Sequence, residues 1–104
     1  MKATKKNILH YLGELKKELE PQGIEALALF GSYAREEQTV YSDIDIAIKK
    51  KKNFLDDYTA YEYFEILSDI KAKIRKKLHK SIDIFDMDST SSFKKAIEDE
   101  LIYV

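Results

Sequence analysis

The sequence predicts an α/β (α+β) fold: a small mixed β-sheet flanked by helices, in the order α-β-α-β-α-β-α. Three observations predict it. Apolar residues recur at helical spacing in "TKKNILHYLGELKKELE" and again between Tyr58 and Leu78. "IEALALF" is a short, nearly continuous apolar run, and "DIDIAIK" and "SIDIFD" alternate strictly in the manner of strands with one apolar face. With 104 residues, one proline and three glycines, a single domain covering 1–104 is expected, large enough to bury roughly 65% of its unfolded surface.

Each element has its own justification. In the first helix Ile8, Leu12, Leu15 and Leu19 form one stripe with Leu9 beside it, while lysines and glutamates take the other face. That stripe serves either as core or as the face of a homodimer. Thr4 suits the N-cap, and "EPQG" ends the helix because Pro21 removes a donor and Gly23 tolerates a left-handed turn. Ile24 to Phe30 is too short for a good helix and reads as a buried strand, followed by one helical turn over 32–37. Asp43 to Lys49 is a strand with Ile44, Ile46 and Ile48 as core. "KKKKN", Lys49 to Asn53, reads as a solvated loop. The second long helix places Tyr61, Phe64, Ile66, Leu67, Ile70, Ile74 and Leu78 inward and "KAKIRKK" outward. Ser81 to Asp86 is the third strand. The last helix starts near Ser89 to Ser92, whose hydroxyls suit capping, and includes Phe93, Ala96 and Ile97; "LIYV" is a fourth short strand or packed coil.

Composition excludes several function classes. Eighteen Lys+Arg against 19 Asp+Glu leave a net charge of −1, so there is no global electrostatic reason to bind nucleic acid or an anionic membrane directly. The absence of cysteine removes disulfides and thiolate metal sites. No apolar run approaches the ~20 residues that span a bilayer, and the N-terminus interleaves charge with apolar residues, so a cytoplasmic protein is expected.

The chemistry concentrates in "LFGSYAREEQTVYSDIDIAI". A strand ending at Gly31-Ser32 and turning into a helix leaves backbone N–H groups pointing outward, a cradle for phosphate oxygens, although such a pair is also an ordinary turn. Asp43 and Asp45, two apart on a strand, project to one face about 6.5–7 Å apart. Adjacent carboxylates repel and raise one another's pKa unless a cation is bound, and a small oxygen-only ligand set suits Mg²⁺; the alternative is a solvated strand face. "SIDIF" repeats the pattern, and if the strands are neighbours Asp83 joins the pair. Three carboxylates are the minimum for two metal ions about 3.5–4 Å apart. Asp86 and Asp88 read as turn or capping residues at a strand exit. His10 and His79 lack metal-ligand spacing and read as surface residues. Tyr58, Tyr61 and Tyr63 read as core and rim packing rather than a base-stacking or partner surface.

Gly31-Ser32, ten residues, Asp43-Ile44-Asp45, then Asp83 within "IDI" together resemble the minimal nucleotidyltransferase family of the DNA polymerase β-like superfamily. The resemblance runs over nearly the whole chain. It implies transfer of a nucleoside monophosphate, AMP from ATP in the expected case, to an acceptor hydroxyl with two Mg²⁺ ions and release of pyrophosphate. Gly31 and Ser32 would bind the nucleotide's β- and γ-phosphates, and Arg35 either joins them by offsetting charge on the triphosphate or faces water. Asp43 and Asp45 would ligate both metals, and Asp83 the catalytic one while helping to deprotonate the acceptor. Family members commonly carry Gly after Ala-Arg where this chain has Glu36, which adds strain if that position needs a positive φ and places negative charge near the nucleotide's tail. The resemblance also implies a helical HEPN-type protein partner in a toxin–antitoxin pair, with this chain as the antitoxin. The alternative is a non-catalytic module of the same fold that neutralises its partner by contact. Acceptor, nucleotide preference and oligomeric state are left open.

Overall fold

The computed structural model describes residues 1–89 and 91–104; Thr90, inside the stretch expected to cap the last helix, lies outside the described residues. Helix α1 (Lys5–Leu19) begins at Thr4, whose hydroxyl accepts from the Asn7 N–H at 3.1 Å. It ends in a short 3₁₀ turn (Glu20–Gln22) that holds Pro21 and is closed by Gly23 at φ +93°. Strand β1 (Ile24–Phe30) leads directly into the short helix α2 (Gly31–Arg35), and β2 (Ile44–Lys50) follows. A helical turn α3 (Phe54–Asp57) and the long helix α4 (Ala60–Leu78) connect to β3 (Ile82–Asp86). The C-terminal segment is α5 (Phe93–Ile97), a 3₁₀ turn (Glu98–Glu100) and β4 (Ile102–Tyr103). The order thus contains the expected series, plus α3 and a fourth strand formed by the "LIYV" tail.

The strands form one mixed sheet in the order β3-β2-β1-β4. β1 pairs antiparallel with both β2 and β4, and β2 runs parallel to β3 across the α3–α4 crossover. Alternation along the strands splits the apolar residues between two faces. Leu27, Leu29, Ile44, Ile46, Ile48 and Ile82 join α1 and α4 in the main core. Ala28, Phe30, Ala47, Met87 and Ile97 make a smaller core on the opposite face. β1 is nearly continuous in apolar residues because both of its faces are covered. The stripe Ile8, Leu12, Leu15 and Leu19 lies inside the main core, so it offers no dimer surface.

Two local expectations are corrected. Lys50 is strand, not loop: its N–H donates to Asp88 Oδ2 at 2.9 Å and its ammonium pairs with Asp86 and Asp88. Tyr61 and Phe64 are exposed at 72% and 63%, while Tyr63 is buried. The start of α4 is fixed by a capping box, in which Thr59 Oγ1 accepts from the Glu62 N–H at 3.1 Å and Glu62 Oε1 from the Thr59 N–H at 2.9 Å. From that start the inward stripe is Tyr63, Ile66, Ile70, Ile74 and Leu78; Tyr61 and Phe64 fall off it by helical angle. His10 and His79 are exposed, as expected.

Candidate active site

Strand register gathers the chemistry at one end of the sheet. The antiparallel β1–β2 pair sets Phe30 opposite Asp45, so Gly31 follows next to that carboxylate. The parallel β2–β3 pair sets Asp45 opposite Asp83, and the Ile44 N–H donates to the Ser81 carbonyl at 2.9 Å to hold the two strand starts together. Antiparallel β4 places Ile102 opposite Leu29, which delivers Glu100 to the same end. On this face α5 is only five residues long and leaves Asp45 and Asp83 uncovered in a cleft of about 590 Å³, whose wall also includes Gly31, Arg35, Phe93 and Glu100.

Gly31 cannot be replaced freely. It has φ +79°, and a Cβ there would run into the Asp45 carboxylate, within 2.9 Å of its Cγ and 3.1 Å of its Cβ. Only glycine accommodates both constraints. Tyr33 and Ala34 are buried in the main core and anchor α2, which leaves its N-terminus facing the cleft. No side chain of Phe30, at the N-cap, caps the amides there. The Gly31 N–H, expected to be open to phosphate, instead donates to Glu100 Oε1 at 3.1 Å.

Asp45 is partly buried, whereas Asp43 and Asp83 are exposed. The Asp45 pKa is raised above its ordinary value by burial first, then by the charges of Asp83 and Asp43 and, further down, Glu100; Arg35 opposes this weakly. Among the described residues no Lys or Arg forms an ion pair with Asp43, Asp45 or Asp83. Nor, among those residues, do any three of His, Cys, Asp and Glu stand as a group that could hold a metal ion. The donor chemistry still suits a hard divalent cation, since the acids offer oxygen only and carry uncompensated charge. Mg²⁺ takes one or two protein carboxylates and completes its sphere with water and substrate phosphate.

The exposed Arg35 side chain, at the cleft wall, is ion-paired. Its Nε donates to Glu37 Oε1 at 3.0 Å and its Nη1 to Glu100 Oε2 at 2.9 Å, and these glutamates raise its pKa. Glu36 adopts φ +56°, the left-handed conformation that glycine favours, as the C-cap of α2. Its carboxylate pairs with Lys5 on α1 at 3.7 Å, so the side chain is drawn towards that helix.

The family described as polymerase beta, nucleotidyltransferase, matches residues 13–104. The chain belongs to that nucleotidyltransferase family. This nucleotidyltransferase is 38% identical over 106 residues to "Putative protein adenylyltransferase MJ0126" of Methanocaldococcus jannaschii, covering 97% of this chain and 98% of the relative. It is 37% identical over 87 residues to "Putative protein adenylyltransferase MJ1379" of the same organism, covering 78% and 77%. Among solved structures it resembles one described as "Crystal structure of the toxin-antitoxin with AMP-PNP", with a TM-score of 0.53, 26% identity and 78% of this chain covered; it spans 60% of that chain's length. Among the described residues, no helix of the nucleotidyltransferase is long and apolar enough to cross a membrane.

Two residues escaped the sequence reading. Glu100 sits in an unremarkable "EDE", and only the pairing of β4 with β1 reveals it. Lys50 was hidden in a lysine run; the signal was its place two residues beyond Ile48, on the strand face set by the isoleucines.

Proposed function

We propose that this nucleotidyltransferase moves AMP from ATP to a hydroxyl of a partner protein, using Mg²⁺ held by Asp43, Asp45 and Asp83. The observation that carries the proposal is the juxtaposition at the sheet end: Asp45 stands in register with Asp83 and against Gly31, and among the described residues no Lys or Arg forms an ion pair with it. A fold that only had to bind a partner would gain nothing from that repulsion. Adenylyl transfer is supported by the names of the relatives, and a partner protein by the toxin–antitoxin neighbour with AMP-PNP. We take the partner to be a helical HEPN-type toxin.

The roles follow from position. The Ser32 hydroxyl and the amides of α2 beyond Gly31 receive the β- and γ-phosphates, with Arg35 at the rim. Bound Mg²⁺ would neutralise charge on the triphosphate and on the leaving pyrophosphate. Asp83, on the far side of Asp45 from Gly31, lies where an acceptor must approach if the pyrophosphate leaves towards Ser32 in line, and its carboxylate takes the acceptor's proton. The acceptor oxygen bonds to the α-phosphorus as the bond to pyrophosphate breaks. Catalysis of this kind rests on positioning and charge rather than on a covalent intermediate.

The test incubates the protein with α-labelled ATP, Mg²⁺ and the protein encoded beside it, comparing wild type with Asp43→Ala. Transfer of label by wild type and its loss in the variant are expected. If wild type binds the neighbour yet labels no offered acceptor, the enzymatic reading fails and neutralisation by contact replaces it.

A further inference from the structure

We propose that Glu100 is a positioning residue of the nucleotide site, a clamp that sets the phosphate-binding turn by holding the Gly31 N–H and the Arg35 guanidinium at once. One carboxylate oxygen accepts from the Gly31 N–H at 3.1 Å and the other from Arg35 Nη1 at 2.9 Å. These two donors mark the start and the end of α2, so a single side chain spans the whole element. α2 is only five residues long and starts at Gly31 with φ +79°, a conformation that glycine reaches without strain but that its freedom does not by itself fix. Glu100 is partly buried, with a side chain 28% exposed, and lies beside β1 because β4 pairs with it. The position of Ser32 therefore depends on the C-terminal segment, although more than sixty residues separate them.

The clamp has a chemical cost that argues against a merely decorative contact. The Glu100 charge adds to the repulsion on Asp45, and the carboxylate occupies the first amide of the turn. A phosphate arriving at the turn is thereby directed to Ser32 and the amides beyond Gly31. The inference rests on the nucleotide-binding reading above for its functional part, while its structural part stands on the two hydrogen bonds.

The experiment uses the full chain and two variants. Glu100→Gln keeps an acceptor for one donor and removes the ion pair; Glu100→Ala removes both contacts. In a transfer assay with Mg²⁺ and ATP, Glu100→Ala should raise KM for ATP about tenfold or more, the weight of a charge-assisted hydrogen bond, with kcat changed far less. Glu100→Gln should fall between it and wild type. In parallel, amide NMR without nucleotide should show the Gly31 N–H losing exchange protection in Glu100→Ala. Unchanged Gly31 protection, or ATP binding as tight as wild type or tighter in Glu100→Ala, overturns the clamp; tighter binding would mean that Glu100 competes for the phosphate seat. If Glu100→Ala does not fold, Glu100→Gln carries both measurements. Wild type that binds no ATP, with Gly31 still deprotected in the variants, refutes the nucleotide reading and leaves the clamp as the support of α2.

Discussion

At one end of the sheet Asp86 accepts from Lys50 Nζ, from the Tyr63 hydroxyl at 2.7 Å and from the Asp88 N–H at 2.8 Å, and Lys50 also reaches Asp88 at 3.2 Å. At the other end Asp45 faces Asp83, Asp43 and Glu100, with Arg35 opposing them. Both aspartates are partly buried. Burial pushes each pKa up, but at Asp86 the lysine, phenol and amide donors outweigh burial and bring it below its ordinary value, whereas at Asp45 the neighbouring charges add to burial. Burial likewise pulls Lys50 down, and its hydrogen bonds to Asp86 and Asp88 more than restore it. Clefts of similar size, about 590 and 580 Å³, adjoin the two ends, so volume does not tell them apart. The difference is in satisfaction. The folded chain satisfies one cluster with its own donors and leaves the aspartates of the other without an ion-pair partner among the described residues.

Replacing Asp45 by Asn breaks the comparison most severely. Label transfer should fall by a factor on the order of a thousand or more, as expected when a group stabilising transition-state charge is lost, while thermal stability in the absence of ligand stays level or rises. A fall in stability would mean that Asp45 is satisfied after all. Lys50→Met should act in the opposite way. Side chains 15% and 28% exposed lose their ion pair, which should cost about 1–3 kcal/mol and lower the melting midpoint without altering nucleotide binding measured by titration calorimetry.

The pH dependence sharpens the same contrast. Asp86, with a lowered pKa, contributes stability that is present above its unfolded value and lost as pH falls through the folded one. Asp45, with a raised pKa, favours the fold while protonated, a contribution lost as pH rises through its folded value. Acid titration of Lys50→Met should therefore show unfolding at higher pH than wild type, and the advantage of Asp45→Asn over wild type should shrink as pH falls through the raised folded value of Asp45 and be gone below about 4, its unfolded value. Circular dichroism against pH checks both. The smallest effect is expected at Glu36, next to the site but turned towards Lys5. Glu36→Gly relieves a left-handed non-glycine residue and should stabilise by roughly 0.5–1 kcal/mol, read as a modest rise in denaturant midpoint.

Much of this was present in the linear pattern. The isoleucine alternation around Asp43, Asp45 and Asp83 fixed which side chains enter the main core and which face away, because side-chain direction on a strand has period two. Thr4, Pro21 and Gly23 marked the ends of α1 through local backbone chemistry. A positive φ at residue 36 could be suspected from the glycine commonly found there, and the structure has it. Local rules reached these features because each depends on a few adjacent residues.

What local rules could not reach were partnerships across the sheet. Nothing in "KKKKN" says that Lys50 meets Asp86, and nothing in "EDE" says that Glu100 meets Gly31. Tyr61, Tyr63 and Phe64 are similar in kind, and the helix start at Thr59 decided which ring is buried. The sequence by itself determined the main elements, the apolar faces of α1 and the strands, and which acids gather as candidates around Asp45. Tertiary structure alone decided which acids the fold neutralises, because charge compensation depends on distance in space, and only the parallel β2–β3 and antiparallel β1–β4 pairings set those distances.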